Sequence, residues 1–417
     1  MKIAIIGSGI AGNTLAYYLN KTHDITVYEA NHYIGGHTHT HSITLKGKTH
    51  EVDTGFIVFN DRTYPNFIAL LDQVGVAWQP SHMSFSVRDE LSGLEYNGTT
   101  MNSLFAQRRN LLSPRFYRMI LDILKFNKAS LALLNASNEI KLGDYLKQGG
   151  YSQRFIDHYI IPMGAAIWST DAKQMLAFPA RFFIRFFHHH GMLSVNDRPQ
   201  WRTIGNGSAR YVERLTHSFK DNIQLNTPIE KVIRTQNHVI VKPVHGEKAI
   251  FDYVFFACHS DQALSILGDD ASDHERAILG AIPYQENSVF LHHDATLMPK
   301  RKLAWAAWNY HVTGQPSDKV QVTYNMNILQ NIESAEPLLV TLNHTDGIDP
   351  AKVIKRLSYM HPLYTIDGAK AQARHAEISG YQRTAYAGAY WGNGFHEDGV
   401  VSALNAIKHF AADQDVK

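Results

Sequence analysis

The sequence predicts a mixed α/β protein built on a Rossmann-type dinucleotide-binding domain. Three observations carry this. An apolar run, Lys2-Ile3-Ala4-Ile5-Ile6, leads directly into Gly7-Ser8-Gly9-Ile10-Ala11-Gly12. A second run, Ile25-Thr26-Val27-Tyr28, ends at Glu29, seventeen residues after Gly12. Strand and glycine-turn signals then recur far along the chain, at residues 203–208 and 386–399, rather than in one block.

Each element follows from local chemistry. Residues 3–6 are apolar throughout, as a strand buried in a parallel sheet must be. Residues 10–20 read as a helix. Its glycines serve a tight turn, backbone approach to a pyrophosphate, and close helix–strand packing. Backbone N–H groups at the helix start then face the phosphates. Glu29 ends the next strand, where a carboxylate can accept both hydroxyls of an adenosine ribose. Gly35-Gly36 follows. Glu51-Val52-Asp53-Thr54-Gly55-Phe56 is a short strand entering a glycine turn, and Thr203–Ser208 turns into a helix from about Ala209 to Phe219. Residues 223–233 give a strand, a turn and a second strand. Asp252–His259 is a buried strand with a polar end. Tyr386-Ala387-Gly388-Ala389-Tyr390 precedes Gly394-Phe395-His396-Glu397-Asp398-Gly399, which opens a final helix through Lys408. The sheet is expected to be mixed, with a parallel core and β-rich additions.

Composition narrows the class. At 417 residues the chain suits two domains or one large one, and 44% hydrophobic content is enough for ordinary cores. A net charge of +2 gives no global argument for nucleic acid. The single cysteine, Cys258, excludes an internal disulfide framework and fits a reducing, cytoplasmic setting. The first residues read as a strand, without the apolar run and cleavage site of a signal peptide. No stretch of 18 apolar residues suggests a spanning helix.

The order of these motifs resembles the FAD-dependent superfamily of flavin amine oxidases, protoporphyrinogen oxidases and carotenoid desaturases. Residues 52–60, 162–169 and 394–399 are similar to a bacterial branch of predicted NAD/FAD-binding oxidoreductases, and the resemblance runs from Met1 to about Phe410. It implies an amine-oxidase-like fold, with FAD-binding segments at 1–75, 200–285 and 375–417 interleaved with the substrate-binding segments of a lid at 76–199 and 286–374. It places Gly7, Gly9 and Gly12 at the diphosphate, Glu29 at the adenosine ribose, and Gly36 and His37 beside diphosphate and flavin. Gly55 and Phe56 pass the isoalloxazine, Ile229 offers its backbone to adenine, and Gly388 sits at the diphosphate and ribityl chain. Gly399 falls at the flavin pyrimidine edge, where a helix N-terminus favours the negative charge of reduced flavin. Glu397, in the same motif, is grouped with the cofactor-binding residues. Two positions depart from the family: His37 stands where an arginine is usual, and Ala389 where an acid is usual. No cysteine occurs in the C-terminal segment where some relatives attach flavin covalently, so noncovalent FAD is expected.

Several residues are candidates for chemistry. His259 and His396 each lie beside an expected cofactor segment and could relay a proton; a histidine that only bonds backbone is the plainer alternative. Phe395 falls where amine oxidases place a cage tyrosine, and Asn287–Leu291 lacks their lysine. Both departures weigh against amine oxidation. His37, His39 and His41 alternate, a spacing that can bind metal, but they fall where the resemblance places flavin, and no metal is expected. Residues 178–187 hold five phenylalanines, read as a buried helix or, more sharply, as the wall of a tunnel for a long hydrocarbon. Trp168 could share that wall. A helix capped by Ser113 carries an apolar stripe, Phe116, Met119, Ile120, Ile123 and Leu124, with Arg115, Arg118 and Lys125 opposite. This could dock on the inner face of a membrane, but a lid helix with a solvated face is the simpler reading.

Taken together, these residues lead to an FAD-dependent oxidoreductase that transfers a hydride from a hydrophobic or lipid substrate to the flavin, as in desaturation of a fatty acyl or isoprenoid chain. Oxygen or a membrane electron carrier would reoxidise the flavin, and the residues do not choose between them. A flavin amine oxidase and a non-enzymatic escort of prenyl groups or lipids on the same fold are the alternatives.

Overall fold

Ile3 and Ile5 point to one face of the first strand and Ala4 and Ile6 to the other, and all four are buried, so the strand needs cover on both sides. It lies at the centre of a five-stranded parallel sheet. The order is Ile223–Gln224, Asp24–Tyr28, Lys2–Ile6, Tyr253–Phe256, Thr384–Tyr386. The computed structural model describes residues 1–136, 140–194, 197–314, 319–344 and 346–415. One face of the parallel sheet packs on the helices Ile10–Leu19 and His396–Asp415, through Leu15, Ala16, Ala403 and Phe410. The other packs on the antiparallel strands Ile229–Arg234, Val239–Pro243 and Ala249–Phe251 and on the helix Ser260–Leu267.

A second sheet runs in the order Val353–Pro362, Tyr284–His292, Leu339–Leu342, Val322–Asn325, Trp308–Val312, Phe85–Asp89, Glu95–Asn97. Its pairs are antiparallel except that Trp308–Val312 lies parallel to Phe85–Asp89. The parallel core forms one sheet, and the β-rich additions form others, the largest of which is itself mixed.

The helices Pro114–Ala129, Leu142–Gln148, Ile161–Trp168 and Ala180–His189 enclose a further core that includes Phe116, Phe126, Phe155, Trp168 and Phe183. The Ser113 hydroxyl accepts the Phe116 N–H at the start of the first of these. Two helix ends differ from the sequence reading. The helix after Ser208 stops at Thr216, where the Thr216 hydroxyl bonds back to the Val212 carbonyl. The last helix continues beyond Lys408 because Phe410 is buried against Tyr253, with ring centroids 4.7 Å apart. Among the described residues, no helix is long and apolar enough to cross a membrane.

Candidate functional site

A cavity of about 770 Å³ begins at the glycine turn and ends against the seven-stranded sheet. At its outer end Gly7 has a φ of 105°, and a Cβ on Gly12 would stand 1.9 Å from the Gly7 carbonyl oxygen, so neither position accepts a side chain. The first helix starts at Gly9 without a side-chain cap, and a Cβ on Gly9 would meet nothing within 4 Å. Gly9, Ile10 and Ala11 line the cavity, so the uncapped first turn opens onto it. That is the arrangement that receives a phosphate.

Glu29 is buried at the end of the second strand. One carboxylate oxygen accepts the Ser8 N–H at 2.9 Å and the Ser8 hydroxyl at 2.5 Å. The other accepts the Asn31 N–H at 2.8 Å and the Asn31 side-chain amide at 3.0 Å. The two backbone bonds fix the carboxylate; the two side-chain donors can rotate away and leave acceptor sites for two ribose hydroxyls. Ile229, at a break in the strand register, lines the cavity at this end.

Midway along, the chain crosses itself closely. A Cβ on Gly55 would lie 2.1 Å from the His37 carbonyl oxygen, which accepts the Phe56 N–H at 2.8 Å. The His37 ring faces His361 at 5.4 Å, Tyr359 at 5.2 Å and His259 at 6.2 Å, and His259 stacks on Tyr284 at 4.4 Å. Burial brings His37 and His259 down to about 4 and His361 to about 3, and their mutual proximity adds to this. All three are therefore neutral at pH 7.

The inner end is walled by Ile57, Val58, Trp168, Trp308, Tyr324 and Tyr364, with further apolar neighbours. Among the described residues, Glu29 at the opposite end is the only Asp, Glu, Lys or Arg that lines the cavity.

The model of the family described as flavin containing amine oxidoreductase matches residues 10–326, most of the chain. The chain belongs to this family. It is accordingly a flavin-dependent oxidoreductase. Solved structures agree on the fold. A provisional protoporphyrinogen oxidase from Exiguobacterium sp. 255-15 is similar with a TM-score of 0.70 and 18% identity over 99% of each chain. Cyclohexylamine oxidase from Brevibacterium oxydans IH-35A gives 0.70 and 13% over 100% of this chain and 99% of that one. A CLA-producing fatty acid isomerase from P. acnes gives 0.69 and 16% over 98% of this chain and 98% of that one. No curated protein matches the sequence.

A flavin-containing amine oxidoreductase must accommodate FAD, and these residues fit it. The open space over Gly9 and the fixed Glu29 carboxylate suit its nucleotide half. Around the inner half, His37 Nε2, Trp168 Nε1, Trp308 Nε1 and the Tyr364 hydroxyl are buried without a protein partner. Orphaned polar atoms of this kind are costly unless a ligand or water meets them.

Gly7, Gly9, Glu29, Gly36, His37, Gly55, Phe56, Ile229, His259, Gly388, Phe395 and His396 all line this one cavity, whereas Gly12, Glu397 and Gly399 do not. Gly12 acts behind the turn. Glu397 gives one oxygen to the Asn66 N–H and amide and the other to the Phe67 N–H, so it caps the helix Pro65–Val74. The last helix begins at His396, and Gly399 sits within its first turn, its N–H bonded to the Phe395 carbonyl and its Cα against Ile10. The helix start therefore lies three residues before Gly399. The Gly388 N–H is donated to the Ser402 hydroxyl, and the Tyr390 ring lies over Gly388.

His396 is a strut. Its Nε2 lies 3.0 Å from both the Thr38 and Tyr211 hydroxyls, and its ring stacks on Phe56 at 3.5 Å. Phe395 packs on Phe186 at 5.2 Å. The tunnel-wall reading of the phenylalanine run is corrected: Phe182, Phe183, Phe186 and Phe187 are buried in the core that the four helices enclose, and none lines the cavity. Trp168 stands between that core and the cavity. His39 and His41 remain neighbours at 4.0 Å while His37 turns away to His361. Among the described residues no group of three His, Cys, Asp or Glu could hold a metal.

Sequence reasoning missed Tyr284, Trp308, Tyr359, His361 and Tyr364. Tyr359 and His361 are two apart on one strand and so share a face, a periodicity the sequence carries. Nothing local says that this face meets His37.

Proposed function

We propose that the protein binds FAD noncovalently and dehydrogenates an uncharged hydrophobic substrate, a fatty acyl or isoprenoid chain. One observation carries the reading: the inner end of the cavity is aromatic and aliphatic and has no charged side chain along it. A substrate without a polar handle gains its binding free energy from apolar burial and is aligned by shape. When bound, flavin supplies two-electron, hydride-accepting chemistry. The chain's own residues do the rest. The turn at Gly7–Gly9 and Glu29 hold the nucleotide, while Trp168, Trp308 and Tyr364 exclude water from the reacting end. His37 Nε2, buried and without a partner, is placed to take up a departing proton. Burial holds that imidazole at about 4, so at pH 7 it is neutral and keeps a lone pair to accept with. Cys258, its thiol pushed up to about 12 by burial, stays a thiol and favours noncovalent attachment.

The solved fold that acts on a fatty acid makes such a substrate compatible with this architecture. The family name supports amine oxidation as a second reading, and the aromatic walls could enclose an amine. The lack of a lysine or an acid at the inner end speaks against it. The test is anaerobic bleaching of the flavin in purified protein. Acyl or isoprenoid lipids should bleach it within turnover times while simple primary amines leave it yellow. Bleaching by amines alone would overturn the proposal.

A further inference from the structure

The helix Pro114–Ala129 is apolar on two faces. The inward face, with Phe116, Met119 and Phe126, is fully buried. The stripe expected to meet a membrane is thus largely the one packed into the core that the four helices enclose. The opposite face carries Tyr117, Leu121 and Leu124 at i, i+4 and i+7, where a solvated helix would place charges. Leu121 is 61% exposed, Leu124 50%, and Leu112, just before the helix, 89%. Leu111, Leu112, Tyr117 and Leu121 line one shallow depression, and Leu124 extends it one turn along the helix, unlike the scattered apolar residues normal on a surface.

The exposed charges of residues 108–129 are all of one sign. Arg108, Arg109, Arg115, Arg118, Lys125 and Lys128 lie in this stretch, and Asp122 is its single acid. Asp122 is buried, accepting bonds from Arg118 and the Ser152 N–H. Arg108, Arg109 and Lys125 bond to backbone carbonyls, which leaves their charge uncompensated.

We propose that this face docks onto an anionic lipid bilayer. Leucines at this depth of exposure enter the acyl boundary, while long basic side chains keep their charged ends among the headgroups. A second copy of the chain fits less well, since a two-fold contact would bring like charges together. Behind the helix, Phe116 and Phe126 belong to the same core as Trp168 at the inner end of the cavity, so the docked face and that end are joined by one core. The proposal goes beyond the substrate reading and does not depend on it.

The test is flotation of the full-length protein with phosphatidylcholine vesicles and with vesicles that also contain phosphatidylglycerol. Partition should be about tenfold greater on the anionic vesicles and should fall as salt is raised. Leu112→Gln, Leu121→Gln and Leu124→Gln together should reduce it about tenfold without lowering the melting temperature, because these side chains are exposed. Should that variant unfold, Arg115→Gln with Lys128→Gln serves instead, read against the same salt series. Failure to float on anionic vesicles, or equal flotation of the variants, would sink the proposal. So would a concentration-dependent dimer that the leucine variant abolishes. No substrate is present in this assay, so its failure leaves the bleaching result untouched.

Discussion

Gly9 and Gly12 are three residues apart in one turn of helix, and they answer to different neighbours. A Cβ on Gly12 would meet the Gly7 backbone, which cannot yield, so Gly12→Ala should cost about 2 kcal/mol or more and lower the melting temperature of the cofactor-free protein by several degrees. A Cβ on Gly9 meets no protein atom, and its φ of −67° suits alanine. Gly9→Ala should therefore leave the unliganded protein within about 0.5 kcal/mol of the parent. It should nevertheless weaken FAD retention at least about tenfold, as measured by absorbance after gel filtration. Full retention would mean that the diphosphate does not lie over Gly9. In the sequence His37 stands out as a missing arginine and as one of three alternating histidines. Its placement against His361 explains why the ring is neutral: it is buried, and the protein groups it faces are histidines and a tyrosine rather than an acid.

The last helix shows what one element contributes through several residues. His396 ties it to Thr38 and Tyr211, while Glu397 caps a helix that has no side-chain cap of its own. Glu397→Ala should cost about 1–2 kcal/mol in urea denaturation, with flavin content at saturating FAD unchanged. Loss of flavin at unchanged stability would instead give Glu397 a direct part in the cofactor site. At this scale the helices and strands around the nucleotide were legible because their signals are local. The end of the last helix was not, since the anchor that extends it, Phe410 on Tyr253, joins residues far apart in the chain.

For the molecule as a whole, the buried histidines set the response to acid. Burial holds His37, His190, His259, His292 and His375 at about 4 and His361 at about 3. In the unfolded chain each titrates near 6.5. As pH falls from 6.5 towards 4, the unfolded chain binds protons that the folded chain refuses, so stability falls with pH across that window. Asp53 and Asp398, raised to about 6 by burial, act in the opposite direction but are fewer. The net loss between pH 7 and pH 5 should be on the order of several kcal/mol, read as a steadily falling melting temperature. A stability maximum below pH 6 would contradict it.

The nucleotide end was determined by the sequence alone. Its turn, helix start and strand-end acid lie within the first 29 residues, and backbone geometry at a glycine turn leaves little choice of arrangement. Only the tertiary structure decided the rest. Phenylalanine at 182–187 satisfies a core and a cavity wall equally well, and packing against Trp168 and Phe126 made it core. Which face of the helix Pro114–Ala129 turns outward, and which aromatic residues close the reacting end, depend on strands that meet across hundreds of residues. Burial is a property of the partners a side chain finds, and those partners have no fixed spacing in the chain.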